Sequence, residues 1–200
     1  MRTLARHVAP ALCAVLLAGL AGCANSRDTR FYVLTPLPAA ERPGGASARS
    51  FAIGLRPVGL PEYLDRPQIV TRAGENALQL AEFDRWGSPL QENVTRVLAE
   101  NISILVPVDR VTVFPWMKGD PIEYEIAVEV ARFDGTLGAT CSLVARWAVT
   151  GRGGKETLAA GKSSHIEPAG DSYDSLVAAY SRLIGALGLD IATALKGVAR

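Results

Sequence analysis

The stretch "IEYEIAVEVARF" (residues 122–133) decides the fold. Ile122, Tyr124, Ile126, Val128 and Val130 alternate with Glu123, Glu125, Ala127, Glu129 and Ala131. A period of two puts apolar side chains on one face and charged or small ones on the other, the pattern of a half-buried antiparallel strand. Asp134 and Gly135 are expected to begin a turn. "TCSLVARWAVT" (140–150) then runs back with Cys141, Leu143, Ala145, Trp147 and Val149 in one phase. Cys141 therefore belongs to the core face, where a free thiol acts as a small hydrophobe. "KETLAAGKSSHIE" (155–167) reads as a third, more exposed strand.

Outward from this meander the pattern changes to a helical period. Ser88, Pro89 and Gln91 form a start signal, with Ser88 as N-cap and Gln91 completing a capping box. Leu90, Val94, Val97, Leu98 and Leu105 follow at helical spacing, and Pro107 stops the continuation. A second helix, capped by Asp171 or Ser172, carries Leu176, Tyr180, Leu183, Leu187, Ile191 and Leu195 at three- and four-residue steps. Gly185 and Gly188 weaken it by roughly 1 kcal/mol each against Ala, and either permit close packing or are simply tolerated. "FYVLTPL" (31–37), "FAIGLRPVGL" (51–60) and Val111–Phe114 have strand character. "QIVTR" (68–72) and "ALQLAEF" (77–83) pair as a hairpin around Gly74-Glu75-Asn76. Pro38–Ser50 is a Pro/Gly/Ala-rich loop. The expectation is a single α+β domain: a mainly antiparallel sheet packed with two long amphipathic helices, about 88–105 and 172–197, on one face.

The N-terminus sets the compartment. Arg2 and Arg6 precede an apolar run from Val8 to Leu20, about 13 residues and so shorter than the ~20 a membrane span needs. Leu20-Ala21-Gly22-Cys23 resembles the lipobox of bacterial lipoproteins. The resemblance implies cleavage between Gly22 and Cys23, a diacylglycerol on the Cys23 thiol and an N-acyl chain on its amine. Such an anchor exceeds the two-signal threshold for stable membrane attachment. Residues 1–22 are thus expected to be a removed signal peptide, 23–30 the lipidated Cys and a short tether, and 31–200 the domain. Ala24 follows the cysteine where Asp usually retains lipoproteins at the inner membrane, so the expected location is the periplasmic leaflet of the outer membrane.

Several function classes are excluded by composition. Loss of Arg2 and Arg6 takes the formal charge from +1 to −1, which gives no electrostatic case for nucleic acid. Cys13 leaves with the signal and Cys23 is lipidated, so Cys141 has no intrachain disulfide partner. His7 also leaves, and His165 would have to carry any His-based metal site or triad alone; an edge histidine is expected instead. "GRGGKET" (151–157) lacks the Walker spacing, with Val149 and Glu156 at the required Gly and Ser/Thr positions, and reads as a hairpin turn. No G-x-S-x-G elbow or H-E-x-x-H is present. The chain is not expected to be an enzyme, and needs neither a metal nor a cofactor beyond its acyl chains.

Taken together, "FYVLTPLP", "GLPEYLDRPQIVTR", "LQLAEFDRWGSPLQENVTRVLAENI", "VFPW", "VEVARFDG" and "ARW" resemble the PqiC-like family of ABC-type transport auxiliary lipoproteins. The likeness runs from Phe31 to the C-terminal helix. It implies an outer-membrane lipoprotein that supports envelope integrity by working with an MCE-domain periplasmic protein and inner-membrane transporter components in lipid trafficking. A homo-oligomeric ring would suit end-on docking to such a tunnel. The alternative class is a lipoprotein that activates or stabilises another envelope complex, such as a cell-wall synthase, against which the short tether argues.

Docking residues are sought among interface-type side chains. Tyr63, Leu64 and Arg66 lie in a loop stiffened by Pro61 and Pro67. Trp86 and Trp116 are the other candidates, although Trp86 could equally be a hydrophobic staple and Trp116 a cover for the sheet edge. Asp84 and Arg85 are expected to pair with neighbours. Leu64→Asp is expected to weaken partner binding with little change in melting temperature.

Overall fold

Residue pairing across β6 (Ile122–Gly135) organises the molecule, which is described by a computed structural model for residues 28–38, 49–117 and 119–199. Gly22, Cys23, the signal peptide and most of the Pro38–Ser50 loop lie outside the described residues. β6 pairs antiparallel with β7 (Thr140–Thr150), which pairs antiparallel with β8 (Thr157–Pro168). On its other side β6 pairs in parallel with β2 (Arg49–Leu55), and β2 in parallel with β5 (Val108–Val113). This sheet has the order β5-β2-β6-β7-β8, and its two longest ladders are antiparallel.

A second sheet has the order β1-β4-β3. The hairpin of β3 (Gln68–Arg72) and β4 (Leu78–Trp86) forms as expected, and β1 (Arg30–Tyr32) adds in parallel along β4. Helices α1 (Leu90–Leu105) and α2 (Tyr173–Val198) pack against each other and on one face of the five-stranded sheet. α2 is long and apolar enough to cross a membrane, but most of it is buried in the domain, where it is the central core helix. The core is one continuous cluster through both sheets and both helices. Tyr180 of α2 sits at its centre, with its ring centroid 4.6 Å from Phe133 of β6 and 6.3 Å from Trp86 of β4.

The alternation in β6 holds as far as Val130, except that Glu125 is buried and paired with Arg56 at 2.9 Å, and then shifts. An irregularity between Val130 and Arg132 inserts an extra residue, so burial resumes at Phe133 and Asp134. A bulge of this kind re-aims the side chains beyond it. The strand therefore continues through Gly135, and the turn expected from Asp134 begins at Thr136. Thr136 N–H donates to Thr140 O at 3.0 Å, and Gly138 supplies a φ of +74°. Gly135 is needed because a Cβ there would lie 2.5 Å from Cys141 Cβ across the ladder.

The helix caps divide. Ser172 caps α2 in a reciprocal box with Ser175. At α1 the expected Ser88 box does not form: Pro89 is the N-cap, without a side-chain bond. Gln91 instead turns its amide to donate to Val58 O at 3.0 Å. Thr95 Oγ accepts from Val58 N–H at 3.0 Å and donates to Gln91 O at 2.7 Å. A tertiary partner therefore draws Gln91 away from the helix end. The glycine-rich "GRGG" segment is the β7–β8 connection, with Gly153 and Gly154 both at positive φ.

Candidate functional site

Pro61–Pro67 folds into a single 3-10 turn, Glu62–Leu64, with Leu64 N–H donating to Pro61 O at 2.9 Å. The turn separates its side chains. Leu64 points into the core and is 3% exposed, whereas Arg66 is exposed and Tyr63 is half-buried. Tyr63 donates its hydroxyl to Asp134 Oδ2 at 2.9 Å. Asp134 has no accessible surface, and its Oδ1 lies 2.8 Å from both Arg72 Nε and Arg132 Nε. Loop, three-stranded sheet and five-stranded sheet are thus joined at one carboxylate. Burial alone would raise the Asp134 pKa, but the adjoining Arg72 guanidinium and the hydrogen bonds from Arg132 and Tyr63 outweigh it and hold the group below the usual carboxylate value. Burial, and then the bond to Asp134, push the Tyr63 phenol up to about 12.

A second carboxylate holds the N-terminal strand. Asp84 of β4 accepts from Tyr32 Oη at 2.7 Å and pairs with Arg30 at 2.9 Å. The expected pairing of Asp84 is therefore met, whereas Arg85 Nε is buried without a partner. Beyond β1, residues 33–37 lie extended across the helix layer. Thr35 N–H donates to Ser181 Oγ at 3.1 Å, and Leu37 N–H to Asn101 Oδ1 at 2.7 Å. The two helix glycines are explained here. A Cβ at Gly185 would meet Leu37 at 2.9 Å, and one at Gly188 would meet Asn101 Cβ at 3.2 Å.

Trp86 is 6% exposed and packs on Tyr180, so its indole is chiefly a core element, with an edge that lines a cleft beside Arg66. The same burial corrects the expectation for Leu64→Asp. An unpaired carboxylate at that position would sit in the core, so the variant would lose melting temperature along with any binding. Trp116 is half-buried, edge-on to Phe114 with centroids 5.0 Å apart, and covers Gly54, whose Cβ would lie 2.9 Å from the indole. It thus covers a sheet strand, while its neighbours Phe114 and Met117 are 48% and 78% exposed. Beside them is a cleft of about 470 Å³, lined by Pro57, Gln91, Thr95, Arg96 and Phe114 among others. The structure does not gather the five candidates into one patch. Leu64 and Trp86 face inward, Tyr63 is engaged at Asp134, and Arg66 and Trp116 stand on different segments.

His165 lies on edge strand β8, with Nε2 2.8 Å from Asp190 Oδ2. Ser163 donates its hydroxyl to the same oxygen and accepts from Trp147 Nε1 at 3.0 Å. The serine proton points at the carboxylate and not at the imidazole, so the trio ties β8 to α2 and contains no Ser–His pair. Among the described residues no group of three or more His, Cys, Asp or Glu side chains could hold a metal ion. Cys141 is buried and its thiol is pushed up to about 11, chiefly by that burial. Sequence reading missed the roles of Asp134, Asn101 and Ser181, which depend on partners 62 to 146 residues away. Only the bulge, which turns the buried phase onto a carboxylate, could have pointed to Asp134.

The fold is shared with solved proteins. An uncharacterised protein matches with a TM-score of 0.68 at 18% identity, covering 84% of this chain and 98% of its own. A protein from Xanthomonas campestris in the DUF330 family matches with a TM-score of 0.66 at 15% identity, covering 84% of this chain and 97% of its own. Among curated proteins no sequence matches. The family model described as "ABC-type transport auxiliary lipoprotein component" matches residues 32–192, which include Asp134 and Asp84, the whole of α1, α2 as far as Ala192 and every strand but the start of β1. The resemblance read from "LPEYLDRPQIV" and "AEFDRW" is therefore borne out, and the chain belongs to the family of ABC-type transport auxiliary lipoprotein components.

Proposed function

We propose that this chain, acylated at Cys23, is an outer-membrane subunit of an MCE/ABC-type lipid-trafficking system. It docks the periplasmic tunnel at that membrane and supports envelope integrity. The observation that carries the reading is the lock at Asp84. Arg30 is bound there at 2.9 Å, so the domain is fixed at a residue seven positions after Cys23, a stretch that spans at most ~25 Å. A domain held so close to its membrane suits docking at that surface and not long-range reach into the cell wall. Arg66 and Trp116, with the exposed Phe114 and Met117, are the contact residues of this proposal. A ring of copies would present them repeatedly to a tunnel end.

The test is affinity purification of the full chain from crosslinked, detergent-solubilised membranes, with partners identified by mass spectrometry. The expected result is recovery of an MCE-domain protein with its transporter. Arg66→Ala should reduce that recovery while leaving the melting temperature unchanged. Recovery of a cell-wall synthase without an MCE protein would replace this reading with the alternative.

A further inference from the structure

Phe31 and Val33 are 67% and 52% exposed. They are neighbours in space: a Cβ at Gly87 would lie 3.1 Å from Val33 Cγ1 and 4.0 Å from Phe31 Cβ. They are also held firmly. Phe31 sits in register with Arg85 on β4, between Arg30 and Tyr32, which both bind Asp84. Gly87 N–H donates to Tyr32 O at 2.8 Å and fixes the next peptide. Single exposed apolar residues need no explanation, and Ile166 is of that kind. What distinguishes this pair is its distance along the chain from Cys23. Phe31 is eight residues from it, so at most ~29 Å separates the aromatic ring's α-carbon from that of the acylated residue.

From this geometry we infer that Phe31 and Val33 rest on the bilayer surface that holds the acyl chains of Cys23, giving the domain a second, orienting contact. The inference rests on the lipidation reading above. A side chain confined that close to a membrane meets it at high effective concentration. An aromatic ring with an aliphatic neighbour favours the interfacial region. The acyl chains alone leave the domain free to rotate about its tether. A rigid apolar foot at the start of β1 removes that freedom and sets which face is turned to the periplasm.

The experiment uses the full chain, expressed in bacteria, purified in detergent and returned to phosphatidylethanolamine/phosphatidylglycerol vesicles with or without brominated acyl chains. Phe31→Trp and Val33→Trp place a fluorophore in the foot. Lys155→Trp places one in the β7–β8 turn, at the opposite end of β8 from the α2 N-terminus, beside which Arg30 and Asp84 lie. Expected is an added emission component, quenched about twofold or more by brominated lipid, for the first two and none for the third. Equal quenching in Phe31→Trp, Val33→Trp and the unsubstituted chain would overturn the inference, as would quenching that is strongest at residue 155. Mass spectrometry of the Cys23 peptide is read on the same sample. If that peptide carries no acyl chains, the lipidation reading falls by itself. The thiol is then coupled to maleimide lipid, and the quenching pattern still decides the contact.

Discussion

Asp134 is a carboxylate without accessible surface, surrounded by two guanidiniums and a phenol. Removing the buried charge leaves Arg72, itself largely buried, without its carboxylate, while the half-exposed Arg132 can turn to solvent. Asp134→Asn should therefore cost about 3 kcal/mol of unfolding free energy, measured by urea titration at neutral pH. The pH dependence follows from the direction of the shift. The folded-state pKa is depressed, so the stabilisation is present above the unfolded value of roughly 3.9 and is lost as pH falls through the folded one. Asp134→Asn should lack that acid-side loss. Tyr63 behaves in the opposite sense. Its folded pKa of about 12 lies above the unfolded value of about 10, so its contribution is intact below about pH 10 and is lost as pH rises through the folded value. In Tyr63→Phe that alkaline loss should disappear. Neither role was legible from residues 134 and 63 alone, because "FDG" reads locally as a turn and "EYL" as an exposed loop.

At the scale of elements, strands β6 and β7 and both helices were legible, since burial of one face imposes a period that survives in composition. Local signals failed where a tertiary partner competed. The Ser88 box gave way to the Gln91–Val58 bond, and only the first two residues of "FYVLTPL" are strand before the segment crosses the helices. Asn101→Ala should lower stability by about 1 kcal/mol and speed proteolysis within residues 33–38, read by mass spectrometry of the fragments. The closest glycine contact in the long meander is at β8. A Cβ at Gly161 would lie 2.4 Å from Trp147 Cζ2, and that indole is pinned by its bond to Ser163. Gly161→Ala should thus cost about 2 kcal/mol through overpacking, seen as a lower melting temperature. Trp147→Phe in the same chain should cancel part of that loss.

For the whole molecule, the continuous core predicts a single transition. Both sheets and both helices share Tyr180, Phe133 and Trp86, so helix loss by circular dichroism and exposure of the tryptophans by fluorescence should have coincident midpoints. Two separated midpoints would mean that the three-stranded sheet unfolds alone. The sequence by itself determined the α+β class, the meander, the two helices and their buried faces, because each depends on side-chain periodicity within one segment. It also carried the family resemblance, whose more specific stretches, "LPEYLDRPQIV" and "AEFDRW", hold Tyr63 of one carboxylate lock and Asp84 of the other. Only the tertiary structure decided that the strands divide into two sheets, that β1, β2 and β5 join in parallel, and which loop residues face outward. Those outcomes depend on pairing between segments tens of residues apart. There the free energy comes from burying one element against another, and neither segment records its partner.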